Sequence, residues 1–237
     1  MEFYFSGIRN IFIEGKDYAC VLFCGCDFRC VYCYNSQILE FRNEFLTRIS
    51  SVKSMIRNYN RVLFAGAEPC LQRQALISLS RFCKQNSIKT ILQTNGSRPD
   101  TIHYLVREDL IDTFFLDIKS SLDGNFERIT RSETYFKTGE EILKNIERTI
   151  NILKRINARV IVKTTFIPNY LYRKEDILKI AALANDMGCR LEFQQFIPGN
   201  TADKKLQGIR PLSNRFLLNM KDICLRHFPE LKIEIKY

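Results

Sequence analysis

Short apolar runs rich in β-branched and aromatic residues recur along the chain: Ala19–Phe23, Val62–Ala65, Lys89–Gln93, Thr113–Ile118, Arg159–Phe166 and Arg190–Phe196, with Leu231–Ile235 last. Each has the length of a strand. Between them, apolar residues return every three or four positions. Gln72–Gln85 puts Leu76, Leu79 and Phe82–Cys83 on one stripe, and Glu140–Ile156 aligns Ile142-Leu143, Ile146, Ile150, Leu153 and Ile156. That spacing predicts helices. The same reading gives helices over Phe45–Asn58, Pro99–Arg107, Tyr172–Met187 and Pro211–Leu225. Pro99 opens one just inside its first turn, and Gly188 caps the end of another.

A strand–helix unit repeated about six times predicts parallel strands joined by right-handed crossovers. Runs such as ARVIVKTTF suit strands covered on both faces. An open doubly wound sheet and a partial (β/α) barrel both meet this pattern, and both place chemistry at the C-terminal ends of the strands. No Gly-, Ser- or Pro-rich linker divides the chain. One domain over residues 1–237 is expected, its core at 18–199 and a closing helix and strand in 211–237.

Lys and Arg number 36 against 26 Asp and Glu, a net charge of +10. No long basic tract or RNP-like aromatic motif accompanies this excess, so it is read as solvated helix faces, and nucleic acid is not the favoured partner. No apolar run reaches the ~18 residues of a membrane span. MEFYFSGIRN lacks the order of a secretory signal, so a cytoplasmic protein without membrane attachment is expected.

In that compartment nine cysteines point to metal or redox use. Cys20, Cys70, Cys83, Cys189 and Cys224 are scattered and read as small buried hydrophobes. The other four fall in CGCDFRCVYCYN, Cys24 to Asn35, directly after the first apolar run. Cys26, Cys30 and Cys33 are spaced C-x3-C-x2-C. A structural zinc would need a fourth ligand, which Cys24 could supply; His103 and His227 lie in helical segments far along the chain and are discounted. A [4Fe–4S] cluster held by the three thiolates would keep one iron open to a chelating ligand. Spacing alone leaves both readings standing.

Cys26-Cys30-Tyr32-Cys33, a C-x3-C-x-aromatic-C motif after an apolar strand, resembles the hallmark of radical S-adenosylmethionine (SAM) enzymes. Later strand ends match in order. FAGAEPCLQ resembles the family's GGEP motif, with Ala67 in place of the second Gly. LQTNGSRPD is similar to the TNG segment of glycyl-radical-enzyme activases, and FFLDIKSSLD to their D-x-K strand end. FSGIRN, followed by a loop, looks like the start of activating proteins for anaerobic ribonucleotide reductase, although the cluster segment departs from their pattern.

This resemblance implies a partial (β/α)6 TIM-like barrel with helices outside. It implies Cys26, Cys30 and Cys33 as ligands of a [4Fe–4S] cluster, with Tyr32, Gly66, Ala67, Glu68, Thr94, Asn95, Asp117 and Lys119 around SAM. Lys163, Thr165 and Gln195 are candidates by position at the fifth and sixth strand ends. Gln93 stands where some activases place a cation-holding Asp, so no monovalent cation is expected. The implied reaction is reductive cleavage of SAM to a 5′-deoxyadenosyl radical under anaerobic conditions. The radical then abstracts hydrogen from a backbone glycine of a partner glycyl radical enzyme, with a flavodoxin- or ferredoxin-type electron donor. A tRNA, another polypeptide or a small-molecule precursor are alternative substrates, and a non-catalytic zinc module is the alternative of another class.

Overall fold

The computed structural model describes residues 1–237 except Gly124, Asn157 and Asn200. The strands are β1 (Glu2–Ile13), β2 (Lys16–Phe23), β3 (Leu46–Arg48), β4 (Arg61–Gly66), β5 (Lys89–Thr94), β6 (Thr113–Asp117), β7 (Arg159–Phe166), β8 (Arg190–Gln195) and β9 (Ile233–Lys236). The helices are α1 (Ile49–Ile56), α2 (Arg73–Gln85), α3 (Pro99–Arg107), α4 (Phe126–Thr130), α5 (Gly139–Leu153), α6 (Lys174–Asp186), α7 (Lys204–Gln207) and α8 (Asn214–His227). One sheet runs in the order β3-β1-β2-β4-β5-β6-β7-β8-β9. Every pair from β2–β4 to β8–β9 is parallel, and β1 is antiparallel to both β2 and β3.

The sheet is curled. In a flat sheet β2 and β8, five strand spacings apart, would stand about 24 Å from each other. Yet Glu14, in the turn between β1 and β2, takes hydrogen bonds from Arg159 at the start of β7 and Arg190 at the start of β8. Side chains on the concave face meet in one apolar cluster: Cys20 and Leu22, Leu63 and Ala65, Ile91, Phe115 and Ile161, with Ile11, Ile13 and Tyr18 against them. The convex face packs under the helices in a larger core that includes Leu76 and Leu79 of α2, Ile142 and Ile146 of α5, and Leu217 of α8. Among the described residues β3 and β9 do not pair to close the sheet, so the fold is a partial barrel of parallel strands with helices outside.

The N-terminal segment differs from expectation. In place of the loop expected after FSGIRN come the last three residues of the 12-residue β1, a turn at Glu14-Gly15 and the start of β2. A one-residue bulge between Phe5 and Gly7 shifts its register. Phe3 and Phe5 therefore enter the convex core, whereas Ile11 and Ile13, at the same sequence parity, face the concave cluster. One extra residue inverts every later side chain, so no single alternation marks the strand. The helix expected from Phe45 starts only at Ile49, because Leu46–Arg48 pair with Glu2–Tyr4 as β3.

Candidate functional site

At the C-terminal ends of the parallel strands lies a cavity of about 360 Å³. It is lined by Cys26, Cys30, Tyr32, Cys33, Gly66, Ala67, Glu68, Thr94, Asn95, Asp117, Lys119, Lys163, Thr165 and Gln195. These are the fourteen positions singled out in the sequence, drawn together from six strand ends.

The cysteine loop is fixed on both flanks. Gly25 and Cys26 donate their amides to the carbonyls of Ile38 and Leu39 at 2.8 and 3.0 Å, and Arg29 and Val31 donate to those of Thr130 and Ile129 at 2.8 and 3.0 Å. Burial pushes all three cavity thiols upward, Cys30 to about 12. A bound metal centre is what turns such buried thiols into thiolates. Cys24 is wholly buried outside the cavity lining, and its amide and carbonyl are engaged by Tyr4 and Gln72. Among the described residues, no three or more His, Cys, Asp or Glu side chains cluster as ligands of a single ion. Three soft sulfur donors around one roomy cavity fit a polynuclear iron–sulfur group better than a zinc ion.

At the end of β4 the chain needs glycine in one place. Gly66 has φ +107, and a Cβ there would lie 2.6 Å from the carbonyl oxygen of Phe23. Ala67 has no such demand: its φ is not positive, and its amide donates to that same oxygen at 2.9 Å. The substitution in the GGEP-like motif therefore falls on the tolerant position. Pro69 follows, and Glu68 caps the short 3₁₀ turn it opens.

Glu68 is 1% exposed and bridges two strand ends. One carboxylate oxygen accepts from the Cys70 amide at 3.0 Å and the Thr94 hydroxyl at 2.8 Å; the other accepts from the Asn95 amide at 2.7 Å. Burial pushes this carboxyl up to about 7, with Asp27 adding repulsion. Asn95 in turn donates from Nδ2 to Asp27 at 3.1 Å and lies 3.9 Å from the Cys26 sulfur. Asp27 also accepts from Ser97 at 2.7 Å and Arg98 at 3.2 Å. This clamp between the cysteine loop and the β5 turn went unnoticed in the sequence, where Asp27 is only a spacer between cysteines. Asn35, which donates to the Gly66 carbonyl at 3.1 Å, was missed likewise.

Asp117 and Lys119 pair at 2.9 Å, and Gln93 donates to the same carboxylate oxygen at 2.9 Å. Burial opposes the Asp117 charge, but Lys119 and Lys163 outweigh it and hold its carboxyl below the usual range. The Lys119 ammonium lies 5.8 Å from the Tyr32 ring centre. Lys163 sits 4.6 Å from the Phe115 ring centre and 3.3 Å from Glu192, a buried carboxylate that sequence reading did not pick out. The Thr165 hydroxyl is 3.4 Å from the Gln194 side-chain oxygen. Gln195 donates to the Leu212 carbonyl, while its own side-chain oxygen is buried with no hydrogen-bond partner among the described residues. An orphaned acceptor on a charged cavity wall suits a polar, zwitterionic ligand.

The family model of the radical SAM superfamily matches residues 20–184. The chain belongs to this superfamily. Radical SAM enzymes use a [4Fe–4S] cluster and S-adenosylmethionine, in keeping with the donor set and wall just described. Among curated relatives, a protein of Methanocaldococcus jannaschii assigned as a glycyl-radical enzyme activating enzyme is 31% identical over 198 residues, 81% of this chain and 78% of its own. The pyruvate formate-lyase-activating enzyme of Clostridium pasteurianum is 27% identical, covering 76% of this chain and 74% of its own. The 7-carboxy-7-deazaguanine synthase of Methanocaldococcus jannaschii is 28% identical, covering 73% and 72%. This radical SAM chain is thus similar both to activases of protein substrates and to a named synthase.

Proposed function

We propose that this radical SAM enzyme activates a partner enzyme by removing a hydrogen atom from one of its backbone glycines. The observation that carries this reading is the 31% identity to an assigned glycyl-radical activating enzyme over four fifths of the chain. The TNG turn and the Asp117–Lys119 strand end, both on the cavity, support it.

Cys26, Cys30 and Cys33 would hold the cluster, and Glu68, Thr94, Asn95, Asp117, Lys119 and Lys163 would surround SAM. When bound, the pair supplies a 5′-deoxyadenosyl radical able to abstract hydrogen. The chain's own part is placement and exclusion. Gly66 lets the β4 end approach closely, and Glu68 locks that end to the β5 turn. Asp117 and Lys119 offer one fixed charge of each sign to a zwitterion. The apolar concave cluster lines the barrel interior beside the cavity. No side chain in this set has to transfer a proton.

The test is anaerobic incubation of the cluster-loaded protein with SAM, dithionite and a glycyl radical enzyme from the same organism. The expected result is 5′-deoxyadenosine together with the doublet of a glycyl radical in electron paramagnetic resonance. 5′-Deoxyadenosine without any radical on the partner, but with turnover of a small molecule or tRNA, would reassign the substrate.

A further inference from the structure

The curled sheet keeps an open seam. β1 pairs with β3 only through Glu2, Phe3 and Tyr4, and β9 pairs only with β8. Along residues 7–13 of β1, one edge therefore has no partner among the described residues. This edge and β9 flank a second cavity of about 320 Å³ inside the barrel, to which β1 contributes Arg9, Ile11, Phe12 and Ile13 and β9 contributes Lys236. Tyr34, Asn35, Gly66, Gln93, Lys163 and Lys236 line both this chamber and the site cavity, so the two adjoin. At its far end the seam is tied by Glu14, which pairs with Arg190, and Arg190 pairs in turn with Glu234 of β9.

The turn from β1 to β2 is two residues long, Glu14 at φ +49 and Gly15 at φ +76, and it joins Ile13 to Lys16. Such a turn makes its flanking residues a hydrogen-bonded pair, and antiparallel pairing alternates from there. Ile13, Ile11 and Arg9 thus direct their backbone groups to β2. The amides and carbonyls of Phe12, Asn10 and Ile8 point to the free edge. Register puts the upper end of this edge at the site: Gly7 is level with Leu22 and Ala65, the residue before Gly66. Exposed edges are ordinarily blunted by shortness, lysine or proline. β9 follows that rule, with four residues that include Glu234 and Lys236. The β1 edge does not. Its sequence, GIRNIFI, has neither lysine nor proline, and Phe12 is 71% exposed.

We infer that the free edge of β1 receives an extended segment of the partner polypeptide as an added strand, which brings the adjoining glycine to the site cavity. The inference rests on the glycyl-radical reading, under which the substrate is a polypeptide. An added strand is held by its backbone, through the amides and carbonyls of Ile8, Asn10 and Phe12. Every second side chain of the guest enters the chamber beside Ile11 and Ile13. Charge has a small part. Lys236 pairs with Glu234 at 3.4 Å, Glu14 is held by Arg159 and Arg190, and Lys163 faces Glu192. Arg9 is left as the cation of the chamber without a carboxylate partner among the described residues. The substrate is thereby held along a strand edge, and the strand ends are left to the cluster and SAM.

The experiment uses the cluster-loaded protein with the unactivated glycyl radical enzyme of the same organism. Hydrogen exchange resolved to single residues should slow about tenfold or more at the Ile8, Asn10 and Phe12 amides when the partner is added, and stay unchanged at Arg9, Ile11 and Ile13. Asn10→Pro removes one outward amide and keeps the pairing with β2. It should raise the partner concentration for half-maximal glycyl radical formation about tenfold, while 5′-deoxyadenosine formed without the partner stays at the wild-type level. Asn10→Ala retains the amide and should behave as wild type. If Asn10→Pro does not fold, the exchange measurement on the wild-type chain decides alone. Equal exchange with and without the partner, a wild-type partner dependence in a folded Asn10→Pro, or the same loss in Asn10→Ala overturns the added strand. Protection of the same amides in a dimer of this chain alone gives the edge to a second copy and overturns it as well. Failure of the glycyl-radical reading looks different: the wild-type chain then forms 5′-deoxyadenosine but no radical on the partner, and the added strand falls with it.

Discussion

The two ends of the curled sheet are made by the same strands and carry opposite chemistry. On β5 the concave side chains run from Ile91 to Gln93, on β6 from Phe115 to Asp117, and on β7 from Ile161 to Lys163 and Thr165. Two residues along each strand, about 7 Å, separate an apolar stretch of the concave face from a polar wall. The N-terminal end is tied by surface ions, Glu14 to Arg159 and Arg190, and Arg190 onward to Glu234 at 2.6 Å. The C-terminal end holds buried charge in Glu68 and the Lys163–Glu192 pair, and half-buried charge in the Asp117–Lys119 pair. Buried ions cost desolvation and are a poor way to gain stability. Their concentration at one end marks where a ligand, rather than the fold, sets the requirement.

The most drastic way to separate the ends is to remove a thiol. Cys30→Ala should abolish bound iron and SAM cleavage together while leaving the thermal transition of the apoprotein within about 1 kcal/mol of wild type, because the loop around it is held by backbone bonds. Cys24→Ala should keep the iron, and so should Cys83→Ala in the helix-side core. Iron assays on the three purified variants decide this. Loss of iron from Cys24→Ala would mean that a fourth thiolate is a ligand.

A smaller effect is expected at the β4 end. Gly66→Ala pushes a methyl group against the Phe23 backbone in a left-handed conformation, and about 3 kcal/mol of stability should go with it. The loss should appear in chemical denaturation of the apoprotein, before any ligand is added. Ala67→Gly, one residue on, should change stability by no more than about 1 kcal/mol. Similar values for the two would contradict the assignment of the close approach to Gly66.

These contrasts also show what the sequence could carry. All seven parallel strands and six of the helices were legible, since each buries a continuous or strictly periodic apolar set. The site positions were legible because the same short motif types end successive strands. β1 was not, because its bulge switches faces midway. Asp27, Asn35 and Glu192 were not either: their roles arise from partners 29 to 70 residues away, Ser97 for Asp27, Gly66 for Asn35 and Lys163 for Glu192. Nothing local distinguishes a bridging carboxylate from a solvated one.

The smallest effect belongs to the N-terminal end and has a pH signature. Hydrogen bonds from Arg159 lower the Glu14 carboxyl to about 2 against a modest burial penalty, and Arg190 adds to the effect. A carboxyl depressed on folding adds stability that is fully present above its ordinary value of 4.5 and is lost as the pH falls toward 2. The Glu14 carboxylate is about a third exposed and Arg159 half exposed, although Arg190 is mostly buried, so solvent screening leaves about 1–2 kcal/mol of this. Glu14→Gln should therefore lower the midpoint of thermal unfolding by roughly 2–8 °C at pH 7, and the gap should close between pH 4.5 and 2. Because this ion cluster joins β1 and β2 to β7 and β8 only at the N-terminal end, iron binding and SAM cleavage should survive the change below the new midpoint. If Glu14→Gln instead cost activity at low temperature, the geometry of the site would depend on how the sheet is tied at its far edge.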